Sequence, residues 1–304
     1  MDRRDVLAGG IGLAFAATVA GRASAAAPGD SMITRKIPST GEAVPVVGLG
    51  TSGPFEVGTA PAERAPIAQV LEAFFEGGGR LIDTSPMYST AETVLGDLLS
   101  PAMHERTFMA TKVWTRGERA GVEQMTRSGE LTKRKRLDLI QVHNLLDLET
   151  HLRTLRRWKD EGSVRYIGIT HYTVGAHADL ARVIEREKLD FVQLNYSAAT
   201  RDAEARLLPL ARDKGVAVIV NRPFEDGRLF EGTRGKPVPA WASDFDSASW
   251  AQLFLKYVIA HPAVTCVIPA TGKVKNVRDN LEAGRGRLPD AKQRAQIMAA
   301  VNGL

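Results

Sequence analysis

Short apolar runs alternate along this chain with longer amphipathic stretches. The runs have the length and β-branched content of buried strands and occupy residues 44–49, 80–83, 107–112, 138–143, 164–170, 191–195, 216–221 and 264–268. Between them apolar residues recur at helical spacing, for example over 61–76, 91–99, 148–161, 174–187, 203–214 and 247–260. Regular alternation predicts parallel strands, and eight units predict an α/β fold of the closed (β/α)8 TIM barrel type.

Three segments depart from a bare barrel. Residues 33–46 contain a turn at Ser39–Glu42 between two extended runs, which predicts an N-terminal β-hairpin that caps the barrel bottom. Residues 223–247 form a loop of about 25 residues, rich in Gly and Pro, and loops of that length are usually functional or disordered. The tail from 289 to 304 is predicted to be an extra C-terminal helix.

The N-terminus has the pattern of an export signal. Arg3 and Arg4 precede an uncharged run over 8–21, and Ala-x-Ala cleavage options follow before Pro28. The uncharged run is too short to span a bilayer comfortably. The paired arginines resemble a twin-arginine (Tat) signal, which implies export of the folded protein by the Tat translocase into the periplasm. We therefore predict a signal peptide at 1–27 and one barrel domain at 28–304.

The composition favours neither a nucleic-acid-binding protein nor a metal-binding one. The net charge is +5, and its densest run, at 133–136, has no interleaved aromatic residues, so a solvated helix end is favoured over a nucleic-acid patch. The one cysteine, Cys266, lies in an apolar run and is predicted to be a buried hydrophobic side chain. No spacing typical of metal ligands occurs, so no metal is predicted.

Polar residues end three consecutive predicted strands. Asp83, Lys112 and His143 follow the second, third and fourth apolar runs, and Tyr88 lies on the loop after Asp83. Active sites of such barrels lie at the carboxyl ends of the strands, and neighbouring strands are about 4.8 Å apart. Each residue alone has an ordinary structural explanation, but four at consecutive strand ends predict that they converge on one small volume.

These four residues, hereafter the tetrad, resemble the catalytic tetrad of the aldo-keto reductases. The surrounding motifs match too and span the chain after the leader: Gly48-Leu49-Gly50-Thr51, Ile82-Asp83-Thr84-Ser85-Pro86-Met87-Tyr88, Thr111-Lys112-Val113, Ile140-Gln141-Val142-His143, Gln193-Leu194-Asn195-Tyr196 and Ile268-Pro269-Ala270-Thr271. The resemblance implies NAD(P)H-dependent reduction of an aldehyde or ketone to an alcohol, or the reverse. Tyr88 would be the general acid, with its pKa lowered by Lys112, while Asp83 holds Lys112 and His143 contacts the substrate oxygen.

The resemblance also implies a set of cofactor contacts. Gly50, Thr51, Thr170, His171, Gln193 and Tyr196 would surround the nicotinamide, with Tyr196 stacked on the ring and Gln193 on the carboxamide. Asn221 and Arg222 would begin the pyrophosphate loop, and Thr271, Lys273, Arg278 and Asn280 would hold the adenosine end. Lys273 or Arg278 facing a 2′-phosphate favours NADP(H) over NAD(H). His171 and Ala270 depart from the usual family residues, an asparagine and a basic side chain respectively.

The sequence says less about the substrate and the oligomeric state than about the reaction. Met87, Trp114, Leu146 and Trp241 are candidates for a substrate pocket that accepts an apolar or aromatic group. Two other functions fit the same residues: a Schiff-base aldolase with Lys112 as the nucleophile, and a non-catalytic sensor that binds the nucleotide. A small carbonyl or alcohol is the expected partner, nucleic acid is not, and we expect a monomer.

Overall fold

The computed structural model describes residues 31–304, so the predicted leader, residues 1–27, lies outside the described residues. The strands are β1 (Thr34–Lys36), β2 (Ala43–Pro45), β3 (Leu49–Gly50), β4 (Leu81–Asp83), β5 (Phe108–Val113), β6 (Leu137–His143), β7 (Val164–Thr170), β8 (Phe191–Asn195), β9 (Ala217–Asn221) and β10 (Val264–Val267). The first two pair as an antiparallel hairpin, and β3 to β10 form one parallel sheet in chain order.

The sheet curls until its first and last strands meet. Val47 bridges Val267 and Gly50 bridges Ala270, both in parallel. A Cβ on Gly50 would lie 2.8 Å from the Ile268 carbonyl oxygen, so only glycine permits this approach at the seam. The prediction of an eight-stranded barrel is confirmed. The prediction of a single first strand over 44–49 is wrong. This segment contributes to two strands, the hairpin strand β2 and the barrel strand β3.

Helices follow the strands and surround the barrel. They are α1 (Pro61–Glu76), α2 (Ala91–Leu98), α3 (Pro101–Arg106), α4 (Glu118–Leu131), α5 (Leu148–Asp160), α6 (His177–Arg186), α7 (Leu207–Asp213), α8 (Arg228–Thr233), α9 (Trp250–Ile259), α10 (Val274–Glu282) and α11 (Ala291–Asn302). The last is the predicted extra helix, and the Asp290 and Gln293 side chains cap its N-terminus reciprocally. No helix among residues 31–304 is long and apolar enough to cross a membrane.

The segment predicted as a long loop, 223–247, has structure of its own. It contains α8 and two 3-10 turns, and its far end is held to the C-terminal part of the chain. The Asp246 carboxylate accepts two bonds from the Arg287 guanidinium, at 2.9 and 3.1 Å, and Trp250 Nε1 donates to the Lys236 carbonyl. The segment therefore packs as part of the outer layer.

The core has two shells. Inside the barrel, Phe108, Tyr166 and Phe191 pack ring against ring, and Cys266 is fully buried beside them, as predicted. The larger shell lies between the outward faces of the strands and the helices. Because side chains alternate between these shells along each strand, every second residue near a strand end points into the barrel mouth.

Candidate active site

Asp83 and His143 are the last residues of β4 and β6, and Lys112 is the last but one of β5, so all three lie at the same end of the barrel. Lys112 Nζ lies 2.6 Å from Asp83 Oδ2 and 2.7 Å from the Thr84 carbonyl oxygen. The Lys112 side chain has no solvent exposure and that of Asp83 has 3%. Burial lowers the pKa of Lys112, but Asp83 and Tyr88 outweigh it and raise that pKa above its usual value. The structure thus holds a charged ammonium at the bottom of the mouth.

Two amides that sequence reasoning did not assign to this pair complete its surroundings. Gln141 Nε2 donates to Asp83 Oδ1 at 3.1 Å, and Gln193 Nε2 donates to the same oxygen at 2.8 Å. Gln141 lies two residues before His143 on β6, and this alternation is the signal that could have identified it. The bonds from Lys112, Gln141 and Gln193 fix the position of the Asp83 carboxylate, which in turn fixes Lys112.

Tyr88 lies above this pair, half-buried on the loop after β4. The Lys112 ammonium is 4.8 Å from the centre of its ring, and the ring meets that of His143 edge-on at 6.3 Å. We predicted from the sequence that Lys112 lowers the pKa of Tyr88. That net direction is wrong: burial raises the pKa of Tyr88 above 10 and outweighs the opposing effect of Lys112. The phenol therefore keeps its proton at neutral pH.

His143 is a neutral imidazole in this setting. Burial, then the charge of Lys112 and then His171 lower its pKa to about 3. Its Nδ1 lies 3.2 Å from Ser85 Oγ, and that hydroxyl also accepts the Met87 backbone N–H at 3.2 Å. Ser85 thereby orients the ring, a role that only the geometry reveals.

A dependence of stability on pH follows from this low pKa. The unfolded histidine takes up a proton near pH 6.5 and the folded one only near pH 3, so stability should fall as the pH decreases through this window. In the unmodified protein, protonation of the unfolded histidine should lower the free energy of unfolding by about 2 kcal/mol between pH 7 and 4.5. His143→Gln should remove that part of the loss. Urea titrations at both pH values measure it, and an unchanged loss would contradict a buried neutral His143.

Comparison with known proteins identifies the architecture. A model of the aldo/keto reductase family matches residues 46–301. The chain belongs to the aldo/keto reductase family. It is 26% identical over 244 residues to methylglyoxal reductase YeaE of Escherichia coli, covering 78% of this chain and 84% of that protein. It is also 26% identical to a probable aldo-keto reductase 1 of Glycine max, covering 88% of each.

Solved structures show the same fold. An aldo-keto reductase from Klebsiella pneumoniae, in complex with NADPH, superposes with a TM-score of 0.74 at 24% identity, covering 88% of this chain and 95% of that one. The aldo-keto reductase AKR11C1 of Bacillus halodurans superposes with a TM-score of 0.71 at 21% identity, covering 89% and 96%.

One nicotinamide contact implied for this aldo/keto reductase is wrong. Tyr196 was expected to stack on the cofactor ring, but it is fully buried in the outer shell and its ring packs against Tyr257 and His261. Its hydroxyl donates to Glu204 and accepts from Arg294 of α11. Gln193 points into the barrel, so Tyr196, three residues later, faces outward by strand alternation.

The other residues predicted to surround the nicotinamide lie around the barrel mouth, and their contact with the cofactor stays a prediction. Thr51 Oγ1 donates to the Asp83 carbonyl oxygen at 3.0 Å, next to Gly50 at the seam. Thr170 is buried between its β-sheet neighbours His143 and Gln193. Both amide hydrogens of Gln193 are used within the site, so its predicted bond to a carboxamide can involve only Oε1.

His171 can still act as a donor. Its Nδ1 accepts the backbone N–H groups of Tyr172 at 3.0 Å and Thr173 at 3.3 Å, so the ring hydrogen must be on Nε2. Burial, then His177, lowers the pKa of His171. The departure from asparagine therefore preserves one hydrogen-bond donor at the mouth.

The predicted pyrophosphate and adenosine contacts lie on β9 and around α10. Asn221 Nδ2 donates to Gln193 Oε1 at 3.2 Å, and the Arg222 guanidinium pairs with Asp226 and lies 5.6 Å from the Tyr172 ring centre. Lys273 is exposed at the start of α10, where its backbone N–H donates to Thr271. Of the last two positions, Arg278 is exposed and within 3.7 Å of Glu76, and Asn280 is buried.

Candidate substrate-pocket residues divide into two groups. Met87 and Trp114 follow β4 and β5 and are 39% and 41% exposed, and half-buried Leu146 follows β6. Trp241 packs on Phe245 in the outer layer, so its place in a pocket stays a prediction. Tyr172, 46% exposed after β7, is a further aromatic side chain on this side that the sequence did not single out.

Within residues 31–304 no cluster of His, Cys, Asp and Glu could hold a metal ion.

Proposed function

We propose that this protein reduces an aldehyde or ketone to the alcohol, or catalyses the reverse reaction, with a nicotinamide cofactor. The observation that carries the proposal is the buried Lys112–Asp83 ion pair directly beneath Tyr88 and beside a neutral imidazole. Carbonyl reduction needs a proton donor next to the oxygen and groups that stabilise the negative charge on it, and these side chains supply both.

Each side chain has a distinct part in this mechanism. Tyr88 holds a proton at neutral pH and transfers it to the carbonyl oxygen as negative charge develops there. Lys112 stabilises the tyrosinate that remains, and Asp83 with its two glutamine donors keeps Lys112 fixed. Neutral His143 contacts the substrate oxygen without competing for the proton. A bound nicotinamide supplies the hydride, which no side chain can provide.

The mouth fits such a cofactor. Asn221 Oδ1 and Asn144 Oδ1 are buried oxygens that accept no hydrogen bond among the described residues, and a carboxamide NH2 is the type of donor they need. At the other end, the α10 N-terminus and exposed Lys273 and Arg278 combine free backbone N–H groups with positive charge, which suits a 2′-phosphate. NADP(H) is therefore the preferred cofactor, with NAD(H) second. The Klebsiella pneumoniae relative was solved with NADPH.

The aldolase alternative fits the geometry poorly. A Schiff base requires an uncharged, accessible amine. Lys112 is unexposed, its pKa is raised, and Nζ already donates to Asp83 and the Thr84 carbonyl. Moving Lys112 toward a substrate would leave a buried carboxylate unpaired, so we retain the reductase proposal.

We also propose export of the folded, cofactor-loaded protein through the Tat pathway to the periplasm. Arg3-Arg4, the uncharged run and the small residues before Pro28 support this proposal. Because the periplasm is not expected to hold a free NADP(H) pool, loading would precede export, and a second alcohol or carbonyl would recycle the bound cofactor.

One sample tests both proposals: protein purified from a periplasmic fraction without added nucleotide. Native mass spectrometry should give a monomer that has lost about 27 residues and carries one NADP(H). The same sample should convert aldehydes when a recycling alcohol is present. An apo protein that fails to bind NADPH or NADH would refute the reductase assignment. Binding without turnover on a broad carbonyl panel would favour the sensor.

A further inference from the structure

Glu92, on helix α2, is a buried carboxyl group that the proposed mechanism does not use. It is 3% exposed and lies behind the barrel wall, on the helix side of β5. Thr111 Oγ1 donates to Glu92 Oε1 at 2.6 Å. Burying a carboxyl group is costly, so a position that retains one in an apolar layer calls for an explanation.

The bond between Glu92 and Thr111 joins the two chain segments that carry the proton-transfer groups. Thr111 immediately precedes Lys112 on β5, and strand alternation places their side chains on opposite faces of the wall. Tyr88 leads directly into α2, because the Ala91 backbone N–H donates to the Tyr88 carbonyl oxygen at 2.8 Å. Glu92 is the second residue of that helix, so one side-chain bond connects the Tyr88 loop to the Lys112 strand.

The second half of the helix that carries Glu92 is anchored against α4. A Cβ on Gly96 would lie 1.9 Å from the Leu131 carbonyl oxygen, so α2 is pressed against the end of α4. Burial raises the pKa of Glu92, and the bond from Thr111 opposes this shift. The contact at Gly96 therefore restrains the second half of α2, and the bond between Glu92 and Thr111 ties its first turn to β5.

We propose that Glu92 is a positioning residue that, through Thr111, sets the distance between the Tyr88 hydroxyl and the Lys112 ammonium. This inference rests on the proposed reductase function. Proton transfer depends steeply on the placement of the donor, and a displacement of about 1 Å can cost about a hundredfold in rate. Without this bond the first turn of α2 and the Tyr88 loop can relax outward, and Tyr88 moves away from Lys112.

The test compares Glu92→Leu with the isosteric Glu92→Gln. The amide retains an oxygen that accepts from Thr111, so kcat of Glu92→Gln should stay within about threefold of the original. The leucine variant should lose about 10- to 100-fold in kcat with KM for NADPH within about twofold, since the nucleotide contacts lie on other strands. Thr111→Val should reproduce this loss, and combining it with Glu92→Leu should add little.

A matched control separates positioning from general destabilisation. Thr154 is also buried, and its hydroxyl donates to the Thr150 carbonyl oxygen within α5. Thr154→Val should lower the melting temperature about as much as Thr111→Val but leave kcat unchanged. If Glu92→Leu or Thr111→Val lowers the melting temperature and keeps full kcat, Glu92 is only structural and the inference is wrong.

A second measurement does not depend on turnover. In 13C-tyrosine NMR titrations, moving Tyr88 away from Lys112 should raise the pKa of Tyr88 in Glu92→Leu but not in Glu92→Gln, because the lowering effect of Lys112 weakens with distance. If the unmodified protein reduces no carbonyl, the proposed function fails and this titration still decides the positioning role. An identical pKa of Tyr88 in all three proteins would overturn it.

Discussion

Tyr88→Phe is expected to reduce kcat for carbonyl reduction by about 1000-fold while nucleotide affinity stays within about twofold. The substitution removes one hydroxyl, and the ring keeps its edge contact with His143 and its place above Lys112. The two nearest titratable groups do not replace the proton it supplies, because His143 is neutral with a pKa of about 3 and Lys112 is paired with Asp83. Single-turnover kinetics and NADPH fluorescence titration measure the two quantities separately.

A matched control exists at the opposite end of the barrel. The Tyr166 hydroxyl donates to Glu42 and lies 2.8 Å from Thr40 Oγ1 beneath the hairpin, far along β7 from the mouth. Tyr166→Phe removes the same atom and should leave kcat unchanged. Loss of both turnover and nucleotide binding in Tyr88→Phe would mean that Tyr88 is structural, and retained turnover would remove it from the mechanism.

The barrel and the convergence of the tetrad were predictable because both depend on local patterns. Apolar runs of strand length, separated by helical periods, require a sheet covered on both faces, and parallel strands bring their carboxyl ends to one edge. Asp83, Lys112 and His143 therefore had to lie close together once three consecutive strands were recognised. The family match over 46–301 confirms the fold that these patterns indicated.

Other features depended on contacts between distant segments. Tyr196 follows Gln193 within one motif, yet a three-residue offset on a strand reverses the face, and Glu204 and Arg294 hold its hydroxyl in the outer shell. Likewise, the pKa of Tyr88 is set by a balance between burial and the charge of Lys112, and burial cannot be deduced from spacing. The contact between Glu92 and Thr111 joins residues 19 positions apart, and it forms only because one face of α2 packs against the outward face of β5.

Lys112→Met is the substitution with the largest expected effect on stability. It leaves the Asp83 carboxylate, 3% exposed, with the amides of Gln141 and Gln193 as its remaining partners among residues 31–304. Removing one partner of a buried ion pair typically costs 3–5 kcal/mol, so we expect a loss of about 4 kcal/mol in the free energy of unfolding, together with loss of turnover. Urea denaturation at pH 7 measures the first quantity.

A second substitution separates the effect of an unpaired buried charge from simple loss of packing. The folded pKa of Lys112 is raised, so the stabilisation from its charge is fully present below the unfolded pKa near 10.4 and is lost only as the pH rises through the folded pKa. Adding Asp83→Asn to Lys112→Met should recover about half of the lost stability and no activity, since the charge is gone but the support for Tyr88 is still missing. A loss of stability that is unchanged in the double variant would mean that Lys112 stabilises the fold through its methylene chain rather than through its ion pair.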